Sequence, residues 1–364
     1  MSLLRGYQID DNWNIVGNGQ WLFGKHGGQE YFIKKFDKPK YPNERMVSPA
    51  VAKRMKGVCK EWEKEQLEMI NALKEYATPS GNLVVPIELF KEGTTYYKVT
   101  YKVDTASLDI KAISKLEDNK KLLLLRTLAH SVKSLHRARI VHGDLKPENI
   151  LVTRGATGNY VTKVIDFDDS YFEGRPPTAE ETVGTINYYS PELADYILNE
   201  SIELGKKITC KSDIFALGLI FHEYWTGSFP VYEGHMYAGI HVLEGGVLGV
   251  SKMIPPNLRK LISDMLDANP SSRPSINEVF TRLTLDPPKE LPKSDSSVSP
   301  EPSGIHSKSI SSGESVSSPV SGDYVINHGN GQYTLHYNGK KRVVPDIFFR
   351  DFIKKHPDIR IINK

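Results

Sequence analysis

The chain is poor in cysteine, with only Cys59 and Cys210 in 364 residues. Two thiols make no disulfide framework, and no Cys/His spacing suggests zinc. A reduced, cytoplasmic setting is the simplest expectation. Long apolar runs are also lacking. No stretch of eighteen apolar residues exists, which excludes a membrane-spanning helix. Met1 to Asp10 has no apolar run followed by a cleavage site. Nor is there an excess of one charge: 47 Lys and Arg stand against 44 Asp and Glu, a net +3. That balance gives no whole-chain argument for nucleic acid as a partner.

What is present suits a globular chain. The hydrophobic fraction is 39%, and 364 residues leave room for one large two-lobed domain plus an extra. Trp13 to Val16, Trp21 to Phe23 and Tyr31 to Phe36 read as strands. Gly17-Asn18-Gly19 and Gly27-Gly28 read as the turns between them. Residues 37–57 read as irregular. A helical pattern runs from Cys59 to Tyr76, with Cys59, Trp62, Met69, Leu73 and Tyr76 on one face. Leu83 to Phe90 and Thr95 to Val103 read as two more strands. Leu122 to His136, 212–226 and 257–267 read as helices. Strands first and helices later predict an α+β chain, a small sheet lobe followed by a helical lobe.

Composition breaks near Asp286. Residues 294–321 hold 13 serines and no aromatic, so they bury too little apolar surface to offset the entropy of ordering. Residues 286–322 therefore read as a disordered linker. Beyond them, Tyr333 to Tyr337, a turn at Asn338-Gly339 and Lys341 to Val344 read as a hairpin. Pro345 opens a helix to about Lys355. Residues 323–364 thus read as a small ββα-like module. Lys340, Lys341, Arg342, Arg350, Lys354 and Lys355 make it basic, suited to docking a partner protein or the preceding domain. The run Gly17 to Trp21 also echoes Gly329 to Tyr333. Two unrelated hairpin turns built from good turn residues account for that, and a shared origin is the rival account.

The densest chemistry lies in His142-Gly143-Asp144-Leu145-Lys146-Pro147-Glu148-Asn149. These residues hold a candidate base, a phosphate-reaching cation and a metal ligand. Asp166-Phe167-Asp168 follows, at the end of the apolar run Tyr160 to Ile165. Two acceptor side chains able to hold Mg²⁺ beside a general base are what moving a phosphoryl group from ATP to a hydroxyl requires.

On these motifs the chain, from about Tyr7 to Leu285, resembles the eukaryotic-type Ser/Thr protein kinases. The resemblance implies a bilobal fold, with residues 1–103 as the N-lobe and hinge and 104–285 as the C-lobe. It implies ATP with Mg²⁺ (or Mn²⁺) as cofactors and protein Ser/Thr hydroxyls as acceptors. Asp144 then matches the catalytic base and Lys146 the residue that steadies the γ-phosphate. Asn149 and Asp166 match the metal ligands. Gly184 to Glu192 looks like the end of an activation segment, in which Thr185 would bridge Asp144 and Lys146. Asp213 matches the residue that braces the catalytic-loop backbone. Arg273 would pair with Glu192 inside the helical lobe.

The N-lobe resemblance is looser. Lys34 stands where the lysine that contacts the ATP α- and β-phosphates is expected, with Lys35 as the competing assignment. Its partner acid should lie on the helix of Cys59 to Tyr76. Glu65 is the choice, with Glu63 and Gln66 as other registers. Gly17 and Gly19 match an abbreviated glycine loop, for which a plain β-turn is the rival. Thr100, Tyr101 and Val103 match the gatekeeper and hinge. Leu108 and Leu151 match residues that cover the adenine.

Two residues depart from the family. Gly143 replaces the usual Arg, so Thr178 and Thr182 lose the receptor for an activation-loop phosphate. Activity independent of such phosphorylation is the expectation. Asp168 replaces the last Gly of Asp-Phe-Gly and adds a negative charge near the phosphates. Two other functions compete with protein phosphorylation. A pseudokinase scaffold is one, and a small-molecule phosphotransferase that also uses His-Gly-Asp is the other. Ser299 and Ser318, each followed by Pro, make the 294–321 linker a candidate self-substrate.

Overall fold

The structure is a computed structural model. It describes residues 2–283 and 324–363, except 17–18, 77, 79, 107, 156, 180–181, 183–184, 234–236, 328–331, 338–339, 346–348, 350–352 and 354–358. The chain divides into two compact units, Met1–Leu285 and Asp286–Lys364.

The first unit opens with strands. These are β1 (Ser2–Leu4), β2 (Tyr7–Ile9), β3 (Asn14–Val16), β4 (Gly19–His26) and β5 (Gln29–Phe36), followed by α1 (Pro49–Ala72), β6 (Glu88–Glu92) and β7 (Thr95–Tyr101). They form one seven-stranded antiparallel sheet, in which β1-β2-β4-β5-β7-β6 run side by side and β3 pairs with β4. Alternation sorts the side chains. Leu22, Ile33, Tyr97 and Val99 join Leu4, Tyr7 and Ile9 in a core on one face. Phe36 and Tyr96 meet Cys59 and Trp62 of α1 on the other.

Helix α1 starts ten residues before the sequence pattern predicted. Ser48 caps it by accepting from the Val51 N–H, and Pro49 takes the first turn. A Ser-Pro start needs no apolar periodicity, so residues 49–57 are helical rather than irregular. The strand predicted over Leu83 to Phe90 begins only at Glu88. Leu83 and Val85 are buried in the helical lobe's core instead. Val84 N–H bonds the Val164 carbonyl at 2.9 Å, and Val164 N–H bonds Asn82 at 2.9 Å. That apolar run ties the lobes together and adds no strand to the sheet.

The helical lobe follows, with α2 (Ile110–Ser114) and α3 (Asp118–Arg137), then short strands β8 (Ile140–Val141), β9 (Ile150–Arg154), β10 (Tyr160–Val164) and β11 (Tyr171–Phe172). Next come α4 (Pro191–Asn199), α5 (Ile202–Gly205), α6 (Lys211–Thr226), α7 (Ala238–Leu243), α8 (Pro256–Met265) and α9 (Ile276–Arg282). Helix α6 is buried all round from Ser212 to Trp225 and forms the spine of this lobe. Among the described residues no helix is long and apolar enough to cross a membrane.

Arg273 and Glu192 close the lower end of the lobe. Two guanidinium nitrogens donate to the two Glu192 oxygens at 2.7 and 2.8 Å. The remaining donors reach the carbonyls of Asp267, Lys211 and Ala268. The Arg273 side chain is fully buried, and such a charge is tolerable because it is paired and hydrogen-bonded.

In the second unit β12 (Tyr324–Asn327), β13 (Gln332–Tyr337), β14 (Lys340–Pro345) and β15 (Arg360–Asn363) form a sheet in the order β14-β13-β12-β15. The β13–β14 hairpin pairs Tyr337 with Lys340. Two strands were not anticipated: β12 on the hairpin's edge and β15 parallel to it. The predicted hairpin is thereby part of a four-stranded sheet. Val325 and Ile359 are buried, and the Tyr333 and Phe349 rings stack. The linker, the turn at Asn338-Gly339, the Gly329-centred echo and most of the helix predicted from Pro345 lie outside the described residues.

Candidate active site

The segment His142 to Asn149 lies between β8 and β9, on a floor made by α6. Asp213, in the first turn of α6, accepts the backbone N–H groups of His142 (2.9 Å) and Gly143 (3.4 Å). His136 Nε2 also meets Asp213 at 3.0 Å. The fully buried His142 ring bonds the Ile165 carbonyl through Nε2 (3.1 Å) and accepts the Asp144 N–H at Nδ1 (3.3 Å). Only the neutral Nε2–H tautomer serves both bonds. One ring thus joins the loop to the strand end that leads into Asp166.

Four predicted site residues meet above this floor. Asp144 Oδ1 accepts the Thr185 N–H at 2.8 Å, and Oδ2 lies 2.6 Å from the Lys146 ammonium. Lys146 also donates to Thr185 Oγ1 at 2.8 Å. Asn149 donates to the Asp144 backbone carbonyl (2.9 Å) and to Oδ2 (3.0 Å). Both amide protons are then engaged, which leaves Oδ1 of Asn149 as a free acceptor.

Asp166 has a φ of 60°, a left-handed conformation that non-glycine residues rarely adopt. Local strain of this kind costs on the order of 1–3 kcal/mol and persists where surrounding structure enforces it. Here the Asp166 carboxylate meets Lys34 Nζ at 3.1 and 3.2 Å. Lys34 also meets Asp168 at 2.5 Å. Burial works against the Lys34 charge, but Asp168 and Asp166 outweigh it and hold the ammonium's pKa above its ordinary range. Asp168 bridges onward to Lys98 of β7. Burial opposes the Asp168 charge too, and Lys98 and Lys34 override it to keep the carboxyl low. Asp169 also feels the Lys34 charge, but less than the groups that oppose it. Burial first, then the charges of Asp144, Asp168 and Asp166, raises its pKa to about 7.

The competing lysine resolves by alternation. Lys35 reaches Gln20 (3.3 Å) and the Trp13 ring, on the opposite face of β5. The partner acid requires correction. Glu65 is exposed on α1, and Lys34 pairs instead with Asp166 and Asp168. The α1 acid that turns toward the sheet is Glu63, and it takes the Tyr96 hydroxyl. Lys98 escaped the sequence reading. Its signal was a lysine in the apolar strand Tyr96-Tyr97-Lys98-Val99, on the same face as Thr100 by alternation.

Thr100 and Tyr101 end β7, where Tyr101 stacks on Tyr31. Past Val103 the chain crosses to the helical lobe, and the Ala106 N–H bonds the Val152 carbonyl at 2.7 Å. Leu108 is half-buried against the main core. Leu151 points away from that core, because Ile150 and Val152 on either side of it face inward. Gly19 is held by packing: a Cβ there would lie 2.6 Å from the Lys35 carbonyl oxygen. Gly17 lies outside the described residues.

The donor set suits a nucleotide-bound divalent cation. Among the described residues no cluster of three or more His, Cys, Asp or Glu could hold a metal alone. One carboxylate and one amide oxygen match the sparse protein ligation of Mg²⁺, which keeps waters and takes phosphate oxygens.

Comparison with known proteins agrees with this geometry. The family model described as "Protein kinase domain" matches residues 30–283. A probable serine/threonine-protein kinase of Clostridium acetobutylicum is 29% identical over 215 residues, covering 56% of this chain and 31% of that protein. The Aurora kinase of Schizosaccharomyces pombe is 32% identical over 158 residues, 42% of this chain and 39% of that one. Serine/threonine-protein kinase Nek8 of Danio rerio is 33% identical over 147 residues, 40% of this chain and 19% of its own length. The chain thus spans well under half the length of each of these relatives.

Proposed function

The chain belongs to the protein kinase domain family, and from that premise we propose that it transfers the γ-phosphate of ATP to protein Ser/Thr hydroxyls. The observation that carries this reading is the contact of Asp144, Lys146 and Thr185. Asp144 is positioned to accept the acceptor hydroxyl's proton: Lys146 and Asn149 occupy Oδ2, and Oδ1 keeps a lone pair beyond the one used by Thr185. Lys146 sits one hydrogen bond away to steady the transferred phosphoryl group. Lys34 faces the α- and β-phosphates. Thr100, Tyr101, Val103, Leu108 and Leu151 would line the adenine side, and the glycine-loop role over the phosphates is assigned to Gly17 and Gly19 on the sequence motif.

Asn149 Oδ1 and the Asp166 carboxylate would hold Mg²⁺, or Mn²⁺. The cation would supply charge neutralisation between the β- and γ-phosphates. The protein's own part is positioning: α6 fixes the loop through Asp213, and His142 fixes the distance to Asp166.

Independence from activation-loop phosphorylation belongs to the same proposal. Position 143 carries no guanidinium. Thr182 is buried and its hydroxyl donates to the Thr178 carbonyl at 2.8 Å. A cytoplasmic setting and phosphorylation of the chain's own 294–321 serines complete the reading. Docking of a partner protein, or of the kinase unit, by the basic C-terminal unit is part of it too.

The test is incorporation of radiolabelled γ-phosphate into a generic protein acceptor by wild type and by Asp144→Ala. Transfer by wild type, reduced at least a hundredfold in the variant, is expected. Equal transfer by both, or none by folded wild type, sinks the reading. Mapping of phosphosites after incubation with ATP reads the linker in the same experiment. Bare linker serines remove self-phosphorylation.

A further inference from the structure

Lys34 and Lys98 are direct register partners on β5 and β7. Side chains opposite one another on neighbouring strands emerge on the same face, and like charges there repel. Lys98 is 5% exposed, so water does little to screen it. An ammonium buried in that way needs a carboxylate. Asp168 supplies it, with one oxygen on Lys98 and the other 2.5 Å from Lys34. Asp166 adds a second carboxylate to Lys34. Two lysines and two aspartates balance, and among the described contacts of this cluster the carboxylates are those of Asp166 and Asp168. Glu63 is engaged with Tyr96, and Glu65 is exposed.

From this arrangement we infer that Asp168 and Lys98 are positioning residues for the nucleotide site. Asp168 does the work expected of a helix α1 glutamate, orienting Lys34. Lys98 is the standing counter-ion of Asp168, so Asp168 shares its charge between two lysines and does not neutralise Lys34 alone. The inference rests on the kinase reading above and deepens it. The negative charge that Asp168 adds near the phosphates then has a partner in the fold. It anchors Lys34 from the helical lobe, so the lysine's placement does not depend on where α1 sits.

The experiment uses the full chain and measures kcat and the KM for ATP with a generic protein acceptor. Calorimetry with MgATP gives the Kd separately. Asp168→Asn is expected to raise both KM and Kd for ATP at least tenfold, with a smaller change in kcat. Glu63→Gln and Glu65→Gln should raise them by less than a third of that factor. A helix glutamate variant that weakens ATP as much as Asp168→Asn overturns the inference. So does a folded Asp168→Asn whose loss falls on kcat with KM and Kd unmoved, the signature of a merely structural role. Should Asp168→Asn fail to fold because Lys98 is orphaned, the double variant Asp168→Asn/Lys98→Met removes both charges. It too should show at least tenfold weaker ATP, and an unchanged Kd overturns the inference. The two readings fail separately. Wild type that binds MgATP without transferring phosphate sinks the kinase reading, while the Kd comparison still decides the role of Asp168. Wild type that does not bind MgATP overturns both.

Discussion

The Cα of Gly143 faces the carbonyl oxygen of Asp169 so closely that a Cβ built on Gly143 would overlap it. The same glycine has a φ of +81°, a conformation that L side chains rarely adopt. The two facts are one constraint: the catalytic loop turns inward at Gly143 and packs its backbone on the segment after Asp166. An arginine in that place would need a different loop path.

Gly143→Arg, which restores the residue usual in the family, should therefore destabilise this chain. Strained φ and a backbone overlap together cost about 2–4 kcal/mol. Urea unfolding should show a lower midpoint with an unchanged slope. Phosphoryl transfer should fall more than tenfold, because Asp144 is the next residue. A variant as stable and as active as wild type would show that the close approach imposes nothing.

Asp213 holds the other side of the same loop. Its carboxylate accepts two backbone N–H groups and meets His136. Asp213→Ala orphans buried donors, each worth about 1–3 kcal/mol. The variant should lose several degrees in thermal midpoint and most of its kcat, with the Kd for MgATP changed less than threefold. A Kd that collapses along with kcat would place Asp213 nearer the nucleotide than this geometry does.

The motifs at 142–149 and 166–168 were legible because the chemistry dictates residue types at fixed spacing. The long helices were legible because Leu124, Leu128 and Leu135 repeat at helical spacing. What escaped has a common cause: it depends on partners distant in sequence. Leu83 has the composition of a strand residue, yet its backbone pairs with β10. Helix α1 begins on a Ser-Pro cap rather than on an apolar stripe. Glu65 fitted a helix register, but the carboxylates that find Lys34 come from 132 and 134 residues away, at Asp166 and Asp168. Gly143 looked like a missing phosphate receptor, and the backbone of Asp169 gives it a steric reason as well. Lys98 carried a local signal, a lone cation in an apolar strand, whose meaning depended on Asp168.

Arg273 gives a stability prediction that is independent of the active site. Breaking a buried pair by removing one partner costs about 3–5 kcal/mol. Arg273→Met strands the Glu192 carboxylate and leaves three carbonyls without their donors. Arg273→Met/Glu192→Leu removes both charges and should recover at least half of the loss. Denaturant midpoints for the two single variants and the double complete the cycle. Additive losses would mean that the pair is not coupled.

Glu223 predicts how stability varies with pH. It lies buried in α6 and accepts the Tyr188 hydroxyl at 2.6 Å. Burial, assisted by the charge of Glu148 and opposed by the Tyr188 hydrogen bond, raises its pKa from 4.5 to about 7. An acid whose folded pKa lies above its unfolded value binds its proton more tightly in the native state. Its stabilising contribution is therefore complete below pH 4.5 and is lost as pH rises through about 7. Glu223→Gln keeps an acceptor for Tyr188 and carries no charge at any pH. The variant should match wild type near pH 5 and exceed it near pH 8 by about 1–2 kcal/mol, a figure reduced for partial solvent access. Urea unfolding at the two pH values reads the difference. A gap that is the same at both would mean that Glu223 does not titrate between them.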